Sequence, residues 1–309
     1  MQNDCDHILL TRFNLPSEGA ESLVREREGW LRSRVNLFEK YCLPSVEKQT
    51  VSSFHWIIYF DPQSPEWLKS KVSDWTKKSI FVPIYRATVS REELLQDLRA
   101  VSGARHEYLL TTNLDNDDGL SSSFIQRLQE VPSEEVRTAY YFTRGLIRSN
   151  DKLYVRIDSN NAFCSVREGW DSAQTCWSNW HNLLGKSMKV VEIYGDPAWL
   201  QVVHGSNVSN RVRGKRISPA SFRTLFGPLL DGIQHPQRQE ILKDVFIERP
   251  LRLIRDSIRS ALKQAALAFT GQDGLDRLKL HLVSLLRKKN RIVTEFTKVQ
   301  REAVDDVPA

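Results

Sequence analysis

Residues 54–60 read FHWIIYF, an unbroken run of aromatic and β-branched side chains that ends at Asp61 and Pro62. A strand with no alternating polar positions is buried on both faces, as in parallel sheets that are covered by helices. Further strands are predicted at residues 7–13, 80–85 and 108–112, and helices at residues 21–43, 65–77, 91–101 and 121–129. This alternation predicts an open α/β sheet that binds ligands at the carboxyl ends of its strands.

Beyond residue 130 the pattern changes. Strands are predicted at residues 139–142 and 153–157, which flank a hairpin turn at 149–151, and at residues 161–166 and 200–204, with a Trp-rich helix at 174–184. After Ser218 the chain is predicted to be helical to its end. We therefore divide the chain into a core of residues 1–217, with halves at 1–130 and 131–217, and a basic helical extension of residues 218–309. Pro44 is expected to end the first helix, and Pro83 indicates an edge strand.

The composition is that of an ordinary globular protein, with 309 residues, 40% hydrophobic and 27% charged, which excludes a disordered chain. The net charge of +6 is concentrated in residues 241–291, which hold twelve Lys and Arg against five Asp and Glu. A neutral body argues against a protein that binds nucleic acid over its whole surface. Four scattered cysteines, no secretory leader and no long apolar run predict a cytoplasmic protein.

Residues 114–119 read LDNDDG and directly follow the predicted strand at 108–112. Three carboxylates within four residues repel one another unless they are solvated or neutralised by a cation. Hard oxygen ligands of this kind suit Mg²⁺ or Mn²⁺ that bridges to phosphates. The alternative is a solvated acidic turn that caps the following helix. Asp61 ends another predicted strand, so the topology is expected to bring it to the same rim as Asp115–Asp118.

A strand followed by Asp-x-Asp-Asp, Gly and a helix resembles the DxD region of glycosyltransferases with the GT-A fold. The wider pattern resembles a bacterial family named for rhamnosyl transfer, over about residues 7–215. The matching elements are Leu10–Asn14, Arg34 with Leu37–Glu39, Leu43–Ser45 with Gln49 and Thr50, Phe54–Asp61, Leu114–Gly119 and His204–Asn207. The resemblance implies a GT-A-type, Rossmann-like core with a mostly parallel sheet, followed by the helical extension.

The resemblance also implies an activity: metal-dependent transfer of rhamnose or another hexose from a nucleotide sugar. The donor would be linked to UDP, dTDP or GDP, and the acceptor would be a glycan, a lipid-linked or another cell-envelope molecule. Residues 1–130 would bind the donor and residues 131–217 the acceptor. Asp115, Asp117 and His204 would hold Mn²⁺ or Mg²⁺, Asp61 would contact the nucleotide, and Asp115 would also approach the ribose. For His204 the alternative is a hydrogen-bonded histidine without a ligand.

Other candidates for substrate binding lie on the predicted rim. Thr11 and Arg12 end the first strand, and Arg12 or Arg34 could pair with a diphosphate through a bidentate guanidinium. For Arg34 the alternative is an ordinary ion pair on a helix surface. Asn207 belongs to the Gly/Ser/Asn loop that follows His204.

An inverting transferase needs a carboxylate that removes the proton from the acceptor hydroxyl. Glu168 and Asp171 are the candidates, because they follow a predicted strand of the acceptor half. Asp196 is a third choice. Glu168 and Asp171 could instead be plain caps of the following helix, and a retaining mechanism would not need this base. Trp170, Trp177 and Trp180 could stack on a sugar ring or pack as ordinary core residues.

The basic segment at residues 241–291 has apolar and cationic stripes at helical spacing. Such helices could lie on an anionic bilayer at the inner membrane face, or pack on the core or on a second copy of the chain. Two other functions stay open. A nucleotidyltransferase is disfavoured, because such enzymes usually have a Gly-rich loop after the first strand. In this chain that loop contains a single glycine, Gly19. A non-catalytic module that binds membrane or nucleic acid through this segment leaves the acidic cluster unexplained.

Overall fold

Four parallel strands build the first half of the main sheet, in a computed structural model that describes residues 5–16, 29–77, 80–132, 134, 136–204, 211–259 and 261. They are β1 (Cys5–Arg12), β2 (His55–Phe60), β3 (Val82–Tyr85) and β4 (Tyr108–Asn113), in the order β3-β2-β1-β4. The central strand β2 is buried from Trp56 to Phe60. The strand order confirms that β3 lies at the edge of the sheet. Pro83 suits this position because it has no N–H to donate to a further strand.

The remaining strands are β5 (Gly119–Leu120), β6 (Thr138–Phe142), β7 (Arg144–Ser149), β8 (Lys152–Ile157), β9 (Ser165–Gly169), β10 (Lys189–Ile193), β11 (Trp199–Val203) and β12 (Lys215–Ile217). The main sheet has the order β10-β6-β9-β4-β1-β2-β3, and only β9 runs antiparallel to its neighbours among the described strands. A second sheet has the order β12-β8-β7-β11-β5. The predicted α/β class with a mostly parallel main sheet is confirmed.

Helices connect the parallel strands as predicted. They are α1 (Trp30–Leu37), α2 (Leu43–Glu47), α3 (Glu66–Thr76), α4 (Arg91–Ser102) and α5 (Phe124–Gln129). A π-helical turn at Phe38–Cys42 joins α1 to α2. Pro44 therefore does not end the helix as predicted: it stands in the first turn of α2, where a missing N–H breaks no α-helical hydrogen bond. The predicted start at residue 21 lies outside the described residues.

Two predictions for the second half are wrong. Residues 139–142 are not the partner of the hairpin: the turn at 149–151 joins β7 to β8, while β6 lies in the main sheet. The Trp-rich segment at 174–184 is irregular, with a 3₁₀ helix only at His181–Lys186. Thr175 has a left-handed φ of 69°, and the Cys176 N–H donates to the Thr111 hydroxyl, so tertiary contacts override the helical spacing.

The apolar core covers both faces of the main sheet. Phe38, Trp56 and Trp75 belong to the cluster on one face, and Tyr59 and Leu98 to the cluster on the other. A third cluster packs the second sheet against the helical residues 222–230, which include α6 (Arg223–Phe226).

The described part of the extension is helical except at residues 218–219 and 231–237, so the prediction of an unbroken helical segment after Ser218 is wrong there. It contains α7 (Arg238–Lys243), a π-helical turn at Asp244–Glu248 and helical residues 249–259. The chain divides into one compact unit of residues 1–16 with 28–252 and a second of residues 17–27 with 253–309. The predicted boundary at residue 217 stays a prediction, and the helix expected near residues 278–296 lies outside the described residues. No helix in the described ranges has the length and apolar character needed to cross a bilayer.

Candidate active site

The acidic turn, residues 114–119, is attached to the end of β1 by buried hydrogen bonds. The hydroxyl of Thr11 donates to the carbonyl of Leu114 at 2.8 Å and accepts from the Trp56 indole at 3.0 Å. The Asn116 amide donates to the carbonyls of Arg12 and Phe13 at 3.1 and 2.5 Å. Thr11 is fully buried, so it supports the turn rather than facing a ligand, which corrects the prediction that it binds substrate.

Asp117 stands at the point where three elements converge. Its carboxylate forms an ion pair with Arg34 of α1, and its Oδ2 lies 2.9 Å from Nε2 of His204, which follows β11. Arg34 also donates to the Asn116 side chain at 3.2 Å. Burial opposes ionisation of Asp117, but the hydrogen bond with His204 and the charge of Arg34 outweigh it and hold the pKa of Asp117 below its usual value. Asp117 is therefore an anion in a cationic setting.

Asp115 is the solvent-exposed carboxylate of the cluster. Desolvation of the Asp115 carboxyl group by the surrounding protein, together with the negative charge of Asp117, raises the pKa of Asp115 to about 6. The Asn113 amide and the positive charges of Arg34 and Arg12 oppose this shift. The side chain of Asn113 donates to Asp115 at 3.3 Å. The negative charge of Asp117 therefore influences the ionisation of Asp115.

Asp118 has a structural role that the sequence does not reveal. It is fully buried, and its Oδ1 accepts the N–H of Val202 at 2.7 Å, while its Oδ2 is buried without a hydrogen-bond partner. Burial, with the charges of Asp117 and Asp115, raises the pKa of Asp118 well above its usual value. This bond and the pairing of β5 with β11 fix the end of β11, and hence His204, beside the acidic turn.

Arg12 is exposed at the end of β1 and stacks on an indole. Its guanidinium lies 4.1 Å from the ring centroid of Trp177, and the Trp177 Nε1–H donates to Asn113 at 2.7 Å. Trp177 therefore supports a cation rather than standing open to a sugar. Asn113 was missed by sequence reasoning, since a single amide at a strand end carries no pattern.

Asp61 follows β2 on the same rim as Asp115, because β1, β2 and β4 are parallel. Its backbone N–H donates to the Asn14 side chain at 3.1 Å, and its carboxylate accepts the Gln63 N–H at 2.8 Å. The structure thus brings Asp61, Arg12, Asp115, Asp117, Arg34 and His204 to the carboxyl edge of the sheet. Asn207 lies outside the described residues.

Glu168 and Asp171 are not brought to this rim. Glu168 pairs with Leu109 near the start of β4, at the opposite edge of the sheet from Asp115, and Asp171 follows it there. Glu168 is buried, pairs with Arg137 at 2.5 Å and accepts the N–H groups of residues 174 and 175. Because β9 runs antiparallel, these residues point away from the site, which corrects the expectation that they face the acceptor.

A cavity of about 480 Å³ adjoins His204. Its walls come from the π-helical turn, the β7–β8 turn, the end of β11 and residues 231–232. Lys40, Asn150, Asp151 and Asp231 supply polar groups that can hydrogen-bond hydroxyls.

The side chains around Asp117 are of the kind that binds a divalent cation. Carboxylate oxygens and an imidazole suit Mn²⁺ or Mg²⁺, and Asp117 and His204 already touch. Within the described residues, no group of three His, Cys, Asp or Glu side chains is close enough to hold a metal. The donors fit in type, and Asp115 is a further carboxylate of the turn that is exposed.

The sequence model of one family, described as "Putative rhamnosyl transferase", matches residues 6–216. A search of curated proteins finds no match. Among solved structures, S. aureus TarS is similar at 10% identity and a TM-score of 0.39, over 64% of this chain and 37% of that chain. The TarS 1-349 structure in complex with UDP is 11% identical, with a TM-score of 0.39 and coverages of 70% and 62%.

The inositol-1-phosphate CTP transferase from T. maritima is 10% identical, with a TM-score of 0.37, over 76% of this chain and 100% of that chain. The chain spans 37% of the length of the S. aureus TarS chain.

Proposed function

Since the chain belongs to the family described as "Putative rhamnosyl transferase", we propose that it is a glycosyltransferase. It moves a hexose, rhamnose or another, from a nucleotide sugar to a glycan, lipid-linked or other envelope acceptor. The observation that carries the proposal is the meeting of Asp117 and His204 at the carboxyl edge of the sheet, with Arg12 and Arg34 beside them. Ligands of open α/β sheets bind at this edge.

The charges of the site match a nucleoside diphosphate. Departure of the diphosphate builds negative charge, which fixed cations and a divalent metal stabilise. Arg12 and Arg34 are the fixed cations of this proposal. Mn²⁺ or Mg²⁺ would be held by Asp117 and His204, with Asp115 beside them. The ionised Asp117 is the carboxylate form that such an ion requires.

The nucleotide of a UDP-, dTDP- or GDP-linked donor would lie over the ends of β1 and β2, near Asp61. The acceptor would enter through the cavity beside His204, because its polar walls suit hydroxyls. Glu168 and Asp171 are not part of this proposal, since they stand at the other edge of the sheet. We also propose that the enzyme works on the cytoplasmic side of the cell envelope.

The proposal is tested by incubating the protein with Mn²⁺ and UDP-, dTDP- or GDP-linked hexoses, then identifying the released nucleotide. Release of a nucleoside diphosphate with one donor is expected, and His204→Gln should reduce it at least tenfold. His55→Gln is the matched control, because His55 is exposed at the amino end of β2. Release of pyrophosphate would instead indicate a nucleotidyltransferase, and failure to consume any donor would contradict both enzyme proposals.

A further inference from the structure

The helical extension of the first unit exposes large apolar side chains on one side. Leu242, Phe246, Ile247 and Leu251 are between 46% and 73% exposed. They recur at helical spacing through α7, the π-helical turn and the helical residues that follow. Single exposed apolar residues are ordinary, but a contiguous row marks a binding surface.

The opposite side of this helix is polar and holds it to the second sheet. Asp244 is fully buried, accepts the N–H of Arg216 at 2.9 Å and pairs with Arg252 at 2.7 Å. The Arg252 guanidinium also lies 5.1 Å from the ring centroid of Tyr154. Because the hydrogen bond from the Arg216 N–H of β12 attaches the Asp244 side of the helix, the exposed apolar row lies on the side away from the sheet.

The charged side chains beside this row differ in exposure according to the sign of their charge. Lys243 and Arg249 are exposed, whereas Asp244 is buried and Glu248 is only partly exposed. The described helical residues of the second unit, taken by themselves, have the same composition: Leu253, Ile254 and Ile258 are exposed together with Arg255 and Arg259, and Asp256 is less exposed. Between residues 241 and 259 every exposed charged side chain is therefore cationic.

We infer that the face formed by Leu242, Phe246, Ile247 and Leu251 docks on an anionic lipid surface. Apolar side chains of an interfacial helix enter the boundary of the acyl chains, while flanking cations contact acidic headgroups. A second copy of this face is a poorer partner, since its cationic flank would meet like charge. Nucleic acid would leave the apolar row unsatisfied. This inference needs no sugar chemistry, so it stands apart from the proposed function.

The full chain is to be sedimented with vesicles of phosphatidylcholine, alone or with roughly one third phosphatidylglycerol. Binding is expected with the anionic vesicles and should weaken as salt is raised. Phe246→Ser should reduce the partition coefficient at least tenfold, and Arg249→Glu several-fold. Ile157→Ser is the matched control, because Ile157 is 76% exposed but lies on β8, outside the row.

Equal binding of Phe246→Ser and wild type, or no preference for anionic vesicles, would overturn the inference. A concentration-dependent dimer that Phe246→Ser abolishes would assign the face to a second copy instead. Melting temperatures of all variants verify folding, and nucleotide binding of the same samples reports separately on the proposed function.

Discussion

Nε2 of His204 lies 2.9 Å from Oδ2 of Asp117, although 87 residues separate them in the chain. The two side chains meet because β5 pairs with β11 directly after the acidic turn. The site is thus assembled at the joint between the main sheet and the second sheet. Residues that hold this joint should influence ligand binding without touching a ligand.

Asp118 is such a residue. Asp118→Ala removes the acceptor of the Val202 N–H, and leaving that buried donor unpaired should cost about 1–3 kcal/mol of unfolding free energy. Asp118→Asn keeps an acceptor oxygen and should cost less. Urea denaturation of both variants measures the difference. If Asp118→Ala were as stable as wild type, the proposed anchoring role would be wrong.

Gly145 lies on β7, where the second sheet packs closely against Trp199. A Cβ at this position would come within 2.0 Å of the Trp199 ring, which is fully buried and stacks on Phe163. Gly145→Ala should therefore destabilise the protein by about 2 kcal/mol or more, because the core has no room to relax. At Gly169 an added Cβ meets no atom within 4 Å, so Gly169→Ala is the control for thermal melting. Equal melting temperatures would contradict this packing.

Glu168 should matter for stability and not for donor binding. It pairs with Arg137 while buried. Glu168→Ala would break this pair and would also leave the buried N–H of Thr175 without an acceptor, at a cost of about 1–3 kcal/mol. Metal-dependent nucleotide binding of the folded variant should equal that of wild type, as measured by titration calorimetry at low temperature. Loss of binding with retained stability would restore Glu168 to the site.

His7 should make the folded state sensitive to acid. Burial lowers the pKa of His7 to about 3, and its Nδ1 accepts from the Gln129 amide at 3.3 Å, which favours the neutral ring. Between pH 3 and its unfolded pKa of about 6.5, only the unfolded chain binds the proton, so stability falls as pH decreases.

The expected loss is about 1.4 kcal/mol per pH unit below pH 6. His7→Gln should flatten the stability profile in this range, whereas His55→Gln should leave the slope unchanged. Urea titrations at several pH values measure both slopes, and parallel profiles for wild type and His7→Gln would contradict the account.

The sequence predicts the parallel half of the sheet well, because its strands are buried on both faces and its helices are amphipathic. The site is predicted less completely. The family resemblance singles out Asp115, Asp117 and His204, but the sequence does not show that the neighbouring Asp118 is bonded to Val202. The sequence likewise predicts that Thr11 lies on the ligand-binding rim, whereas its side chain is buried in the fold.

Glu168 shows why the acceptor side is harder to predict. A strand's direction in the sheet decides which edge its last residues reach, and nothing local in residues 165–169 reveals that β9 is antiparallel. The same limit applies to residues 174–184, where tertiary hydrogen bonds to Thr111 and Asn113 replace a helix. Long-range pairing, rather than propensity, decided both cases.

We propose that Asp117 is the carboxylate on which a metal-dependent nucleotide site depends. The direct measurement is the melting temperature with UDP, dTDP or GDP, each with and without Mn²⁺, for wild type, Asp117→Asn and Asp171→Asn. A ligand that binds only the folded state raises this temperature. We expect a metal-dependent rise with one nucleotide that is kept in Asp171→Asn and lost in Asp117→Asn. An equal rise in all three proteins would contradict the role of Asp117.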